Sequence, residues 1–273
     1  MKLKYSKLIL VFIFAISSCA TAQVTYSGLQ KNYTQSMDSL LLNVNKQNIA
    51  TGILYDRILS FGNLDKLKLN NEMTKSNYGH FIQSWSELNR AAYLPSFINV
   101  ETLKSTNESS STGTLVNLGI INTKINCIDF GTSSSPKLSF ANGRFGNVAN
   151  VNPFTEKQVT VIAALKETAT GNNITFKLTT NFILQLSGLK IKNLTANFGT
   201  GTIYNLISNQ VLAATNPAVN YTTSGPKELT FTVTFENNTS EVLKANINVI
   251  LPVVNASTNS LVAAFPTEED FVT

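Results

Sequence analysis

The sequence predicts a mainly β fold with a helical N-terminal region, its strands packed as a β-sandwich. Three stretches carry that expectation. Leu229–Phe235 alternates strictly, with Leu229, Phe231, Val233 and Phe235 on one face and Thr230, Thr232 and Thr234 on the other. That is the period-2 signature of a half-buried strand. Glu241–Leu251 repeats it, with Leu243, Ala245, Ile247 and Val249 in phase and Pro252 closing the run,. Earlier, residues 74–93 place Phe81, Ile82, Trp85, Leu88 and Ala92 on one stripe of a 3.6-residue period,.

Composition bounds the rest. The chain has 273 residues, enough for one large or two small domains, and 43% of them are apolar,. Only 14% are charged, well below the roughly 25% usual for soluble domains. Asn, Thr and Ser must cover much of the surface, which suits an extracellular β-rich protein better than a cytosolic enzyme.

Residues 1–22 have the three-part form of a secretory signal peptide. Lys2, Lys4 and Lys7 form the positive region, and Leu8–Ile16 is an apolar run of nine residues. That run is too short to span a bilayer. The Ala20-Thr21-Ala22 pattern places cleavage after Ala22, leaving Gln23 first. Ile16-Ser17-Ser18-Cys19 offers an alternative, a lipobox that would leave Cys19 as a lipidated N-terminus. Removal of the three lysines lowers Lys+Arg from 21 to 18 against 16 acids, a net charge of +2. No basic cluster remains to neutralise phosphates, so no nucleic-acid partner is expected. No later apolar run is long enough for a transmembrane helix in the mature chain. Cys127 is then the one cysteine left, so no internal disulfide is expected. Its apolar neighbours Ile125 and Ile128 mark it as a small buried hydrophobe.

Residues 23–103 read as a mixed helical region. Ser36–Asn43 has the make-up of a short helix capped by Ser36 or Asp38. Asp38-Ser39-Leu40 also fits an O-glycosylation pattern of some exported bacterial proteins, which makes Ser39 a candidate modification site. Several Asn-x-Ser/Thr triplets follow from composition alone. Ile53, Leu54 and Tyr55 are β-friendly between Gly52 and Gly62. Phe61, Leu64 and Leu67 suggest a small helix or turn, and Asp56-Arg57 a local ion pair. In the main helix Ser76 is the expected N-cap, Glu87 and Arg90 face solvent, and Pro95 ends the segment.

Residues 104–113 (KSTNESSSTG) are polar and low in complexity, and read as a linker or exposed loop. Residues 114–170 form a strand region, with strands at 114–122, 124–130 and 157–165 and loops at 131–137 and 141–153. Residues 171–256 hold the sandwich proper, beginning with Ile174, Phe176 and Leu178 on one face. Residues 257–273 form a C-terminal tail.

Two resemblances follow from particular residues. TGILYDR at 51–57 and NYGHFIQSWSELNRAAY at 77–93 resemble the N-terminal region of long exported proteins of Bacteroidota-type bacteria. On that likeness the chain would be a short relative, and its acidic end, Glu268-Glu269-Asp270, would lie in a linker or domain boundary. Asn197-Phe198-Gly199-Thr200-Gly201, with Tyr221, Gly225 and the Leu229–Phe235 strand, resembles a PKD-type, immunoglobulin-like module. The resemblance implies an immunoglobulin-like β-sandwich with a spacing or contact role. Thr200 stands where that family usually has Asp, which removes any role resting on the carboxylate. The glycines also have a direct reading, since both permit positive φ in a tight turn.

Catalytic chemistry is sparse. His80 is the only histidine, and no Cys/His spacing of a zinc site, nucleophile elbow, phosphate loop or Ca²⁺ loop occurs. Asp129, Glu156 and Glu236 are scattered. No catalytic residue, metal ligand or cofactor is expected. The sequence therefore points to an exported, non-enzymatic protein, secreted or in the cell envelope. Its role would be binding or spacing, with a protein or glycan partner, and Tyr204 and Tyr221 are candidate ligand contacts. The alternatives are the non-catalytic N-terminal part of a larger secreted hydrolase, or a surface lipoprotein that helps assemble a complex.

Overall fold

The computed structural model describes residues 37–55, 75–93 and 97–252. The signal region, Asp56-Arg57, the 61–67 segment, Pro95 and the 257–273 tail lie outside the described residues. After a helical turn at 37–40 and a 3₁₀ turn at Lys46–Asn48, the elements follow in chain order. They are β1 (Lys75–Ser76), α1 (Tyr78–Ala91), α2 (Val100–Ser110), β2 (Leu115–Ile128), β3 (Gly131–Thr132) and β4 (Ser135–Pro136). Next come β5 (Leu138–Ala141), β6 (Arg144–Asn147), β7 (Phe154–Ala164), β8 (Thr168–Thr170) and β9 (Asn173–Leu184). The chain continues with β10 (Ile191–Asn197), β11 (Ile203–Ser208), β12 (Val211–Leu212), β13 (Ala218–Asn220), β14 (Gly225–Phe235) and β15 (Ser240–Ile250).

The protein is mainly β. Apart from β3-β4 and β5-β6, which form separate two-stranded sheets, its strands make two packed sheets. One runs β1-β15-β14-β10-β11-β12, with β8 also beside β15. The other runs β13-β9-β2-β7. Leu229, Phe231, Val233 and Phe235 from β14, and Leu243, Ala245, Ile247 and Val249 from β15, all point into the core between the sheets. The alternation read from the sequence is therefore burial on one face, as expected.

The second sheet is covered on both faces. Val116, Leu118, Ile120, Ile162 and Ala164 face the first sheet. Ile121, Ile125, Val159, Val161, Ala163 and Leu165 face α1 and α2, against Phe81, Trp85, Leu88 and Leu103. The result is three layers, helices on sheet on sheet. β9 feeds both cores through an irregularity. Leu118 pairs with Leu178, but Ile120 pairs with Ile183, so three extra residues sit on β9. An odd insertion flips the side-chain parity. Ile174 and Phe176 thus face the sandwich core, while Phe182 and Leu184 face the helices.

α1 carries the expected stripe, with Phe81, Trp85 and Leu88 buried. Its cap is Asn77, whose Oδ1 accepts from the His80 amide at 2.8 Å, rather than Ser76. Ser76 lies one residue earlier, on β1, where its hydroxyl donates to the Ile162 carbonyl and is within 3.3 Å of the Lys244 carbonyl. It joins the edges of the two sheets. Glu87 is buried, not solvent-facing, and accepts from Gln83 Nε2 at 3.1 Å. Gly119 is the point of closest approach beneath this helix. A Cβ there would lie 2.5 Å from the Phe81 ring and 2.7 Å from Leu165.

The polar stretch 104–113 is not a linker, because most of it is α2. Asn99 caps that helix, accepting from the Thr102 amide at 2.9 Å. Leu103 is buried, and Asn107 Nδ2 donates to the Leu165 carbonyl at 2.7 Å. Asn117 on β2 donates to Asn107 Oδ1 and Ser110 Oγ, each at 2.9 Å. The serines that lowered the complexity of the sequence bond back into their own helix, as Ser105 does to Thr102 and Ser109 to Thr106,.

Three further expectations change. The strands at 114–122 and 124–130 are one strand, β2, paired to β7 without a break from Leu118 to Ile128. A boundary at residue 170/171 does not divide the fold either, since β2 pairs with β9 across it and one core takes residues from both sides. The expected loop at 141–153 begins as a hairpin of β5 and β6.

Candidate functional site

The residues singled out from the sequence are placed as follows. Tyr221 is 4% exposed and belongs to the inter-sheet core. Its hydroxyl donates to the Phe198 carbonyl at 2.7 Å. Burial pushes its phenol well above the ordinary tyrosine range,. This corrects its assignment as a ligand contact: the ring and its hydroxyl are both used internally. Tyr204 is half-buried and packs against the same core, its ring 5.7 Å from Phe198. The structure brings both tyrosines to Phe198, as packing around a ring stacked on Phe176 at 4.0 Å. Ser39 is exposed on the helical turn at 37–40. Cys19, Ala22 and Gln23 lie outside the described residues.

The glycine turn behaves as geometry. Gly199 and Gly201 have φ of 83° and 87°, and Asn197 Oδ1 accepts from both amides, at 2.9 and 3.2 Å. The amides that might cradle an anion are already occupied by a side chain of the same loop. Cys127 is half-buried beside the helix-facing core. Among the described residues, no three His, Cys, Asp or Glu side chains come together as a metal group. No helix among them is long and apolar enough to cross a membrane.

The surface feature that sequence reasoning missed is the end of the molecule carrying β5 and β6. Residues 37–55 pack there, with Leu41, Val44, Ile49 and Leu54 joining Leu138 and Phe154 in a third small core. The hairpin's face starts in that core at Leu138 and emerges into solvent at Phe140, which is 63% exposed. Phe145, paired with Phe140, has its ring 5.0 Å away. Phe130, 50% exposed, lies 5.2 Å from Phe145 on the other side. Three phenylalanine rings thus form one open cluster.

That cluster is held in place. The Phe130 carbonyl accepts from the Lys137 amide at 3.1 Å. Asp129, the preceding residue, accepts from the Gly131 amide at 2.9 Å and pairs with Lys137 Nζ at 2.5 Å. The Lys137 hydrogen bond first, and the Gly131 amide second, hold the Asp129 carboxyl below the usual carboxylate range,. The hairpin closes through Asn142 and Gly143, both at positive φ, 53° and 73°, as a two-residue primed turn requires. Asn-Gly between Phe140 and Phe145 was the signal available in the sequence.

Two residues along β6 from Phe145 begins a cleft of about 440 Å³, lined by Asn48, Asn147, Asn150 and Asn152 together with Val148, Ala149 and Val151. Asn147 is two residues from Phe145 on the same strand and therefore on the same face,. Its Oδ1 accepts from the Asn45 amide at 2.8 Å, and Asn152 Oδ1 accepts from the Phe154 amide at 3.0 Å. A second cleft of about 420 Å³ sits between the helices and the β9 irregularity, lined by Trp85, Phe97, Thr102, Thr106, Thr180 and Asn181. There Trp85 is buried, with its Nε1 donating to the Ile98 carbonyl at 2.9 Å, so its ring is part of the core.

The chain matches no protein-family model and no curated protein.

Proposed function

We propose that this chain is an exported, non-enzymatic binding protein of the cell envelope or extracellular space. The observation that carries the binding role is the open cluster of Phe130, Phe140 and Phe145, fixed by the Asp129–Lys137 pair and the hairpin turn. Contiguous exposed apolar surface on a folded protein marks a place of contact. Export rests on the charged and apolar pattern of residues 1–22,. The non-enzymatic reading is supported by a sequence with a single histidine and, after cleavage, a single cysteine.

The sandwich is best read as a PKD-type, immunoglobulin-like module that presents this end. Support comes from Phe198-Gly199-Thr200-Gly201 after β10, from Tyr221 before β14 and from Gly225 at its start.

Two measurements test the proposal. Intact mass of the protein recovered outside the cytoplasm is expected to begin at Gln23. A diacylglyceryl group on Cys19 gives the lipoprotein form, and a chain retained in the cytoplasm with Met1 removes the export reading. The labelled mature protein is expected to bind isolated cell envelopes saturably, with competition by unlabelled protein. Linear, non-competed uptake would leave only a spacing role.

A further inference from the structure

We infer that the hairpin end is a site for a neutral glycan, with exposed Phe140 as the stacking surface, backed by the half-buried Phe145, and the asparagine-bearing cleft as the hydrogen-bonding subsite. The inference rests on the binding role proposed above and names its ligand chemistry. A sugar ring presents C–H faces that pack on aromatic rings and a rim of hydroxyls that both donate and accept. The hairpin end offers both in sequence along one strand. Phe145 and Asn147 share a face of β6, and Asn147 lines the cleft. The hydrogen bonds described for Asn147 and Asn152 are accepted at Oδ1 and hold these side chains in place. A carboxamide so held also carries an Nδ2 donor, the group a sugar hydroxyl would meet. Asn150, at φ 61°, and Asn48 add a further amide each. At about 440 Å³ the cleft is within the size range of small-molecule sites,.

Charge selects against other ligands. Among the described residues, no ionisable side chain lines the cleft. Asp129 and Lys137, beside Phe130, neutralise each other. Arg144 alternates with Phe145 along β6 and so points to the opposite face,. Lys46 lies over the Tyr93 ring at 4.8 Å. An acidic polymer or a phosphate-rich surface would find no concentration of positive charge here. Uncharged carboxamides suit a neutral polyol.

Affinity electrophoresis of the full mature chain tests this. Gels contain mixed-linkage β-glucan, xyloglucan, galactomannan or starch as neutral probes, and polygalacturonate or alginate as acidic ones. Retardation is expected with at least one neutral polymer and with neither acidic one. Phe140→Ala and Asn150→Gly, the latter keeping positive φ accessible, are each expected to weaken that retardation by about tenfold. Val211→Ser, at an exposed site on β12, should leave it unchanged. Circular dichroism of each variant confirms folding. No retardation by any neutral polymer overturns the inference. Retardation that survives both substitutions, or retardation by the acidic polymers alone, overturns it too. Saturable envelope binding without polysaccharide binding would keep the binding role and discard the glycan.

Discussion

The Tyr221 hydroxyl donates to the Phe198 carbonyl at 2.7 Å, joining the segment after β13 to the end of β10. These two elements belong to different sheets. The bond therefore ties the sheets together at one end of their shared core, next to the Phe198–Phe176 stack. Tyr221→Phe keeps the ring and removes the donor, leaving a carbonyl without that partner. Unfolding in urea is expected to show a loss of about 1–3 kcal/mol. Tyr204→Phe, whose hydroxyl lies 3.5 Å from the Ala218 carbonyl at an exposed position, should change stability by less than about 0.5 kcal/mol. Equal losses in the two variants would contradict this account of Tyr221.

Gly119 is required by packing. A methyl group there meets the Phe81 ring and Leu165 well inside van der Waals contact. Gly119→Ala should destabilise by about 1–3 kcal/mol through overpacking. Phe81→Leu in the same chain should return part of that loss, and a thermal melt of the two variants side by side decides it.

Glu228 holds two lysines that would otherwise repel. Lys75 and Lys244 are direct register partners on β1 and β15, and like charges so placed are unfavourable. Glu228 on β14 pairs with Lys244 at 2.6 Å and with Lys75 at 2.5 Å. The Lys244 hydrogen bond, then that from Lys75, lowers the Glu228 carboxyl from its ordinary value. A lowered carboxyl contributes stability above its unfolded value and loses it as pH falls through the folded one. Glu228→Gln should therefore lower the melting temperature at neutral pH, and the gap to wild type should close as pH falls below the usual glutamate range. All three side chains are partly exposed, so the gap should also shrink in high salt. A gap constant with pH would rule out the charge explanation.

The polar stretch 104–113 should resist proteases. Most of it lies in α2, anchored by Leu103 and by the buried Asn107–Asn117 amide pair. Limited proteolysis of the native protein is expected to spare residues 104–110. Asn107→Ala should cost about 1–3 kcal/mol by leaving the Leu165 carbonyl and Asn117 without that partner, and should open the segment to cleavage. Rapid cutting in the wild type would restore the linker reading.

The candidate site was legible only in fragments. Asn142-Gly143 marks a hairpin turn, yet Phe140 and Phe145 were not recognisable as neighbours of Phe130. That proximity comes from the 129–137 segment folding back on itself through β3–β4 pairing and the hydrogen bond from the Lys137 amide to the Phe130 carbonyl, with the Asp129–Lys137 pair across its base. Tyr221 shows the converse. A tyrosine between Asn220 and Thr222 has the surroundings of a surface residue, and only the apposition of two sheets buries it.

The sequence by itself determined the elements buried on one face. Leu229–Phe235, Leu243–Val249 and the Trp85 stripe are each written in a local period, because a face against solvent must be polar and a face against the core must not. The same local logic placed positive φ at Gly199 and Gly201. Tertiary structure alone decided how the strands read at 114–130, 157–165 and from 174 onward assemble into the second sheet, and what covers it. The middle of β2 and the second half of β7 are enclosed on both sides, by helices and by a sheet, so their residues there carry no alternation to read,. It also decided that a serine-rich stretch is a helix, since Asn107 gains its contacts from Asn117 on the next strand and from Leu165 at the end of β7, 58 residues away, and Leu103 joins the core between them. Local pattern records which side of an element meets water. Partners are set by long-range packing, and a residue's own neighbours in sequence do not encode that.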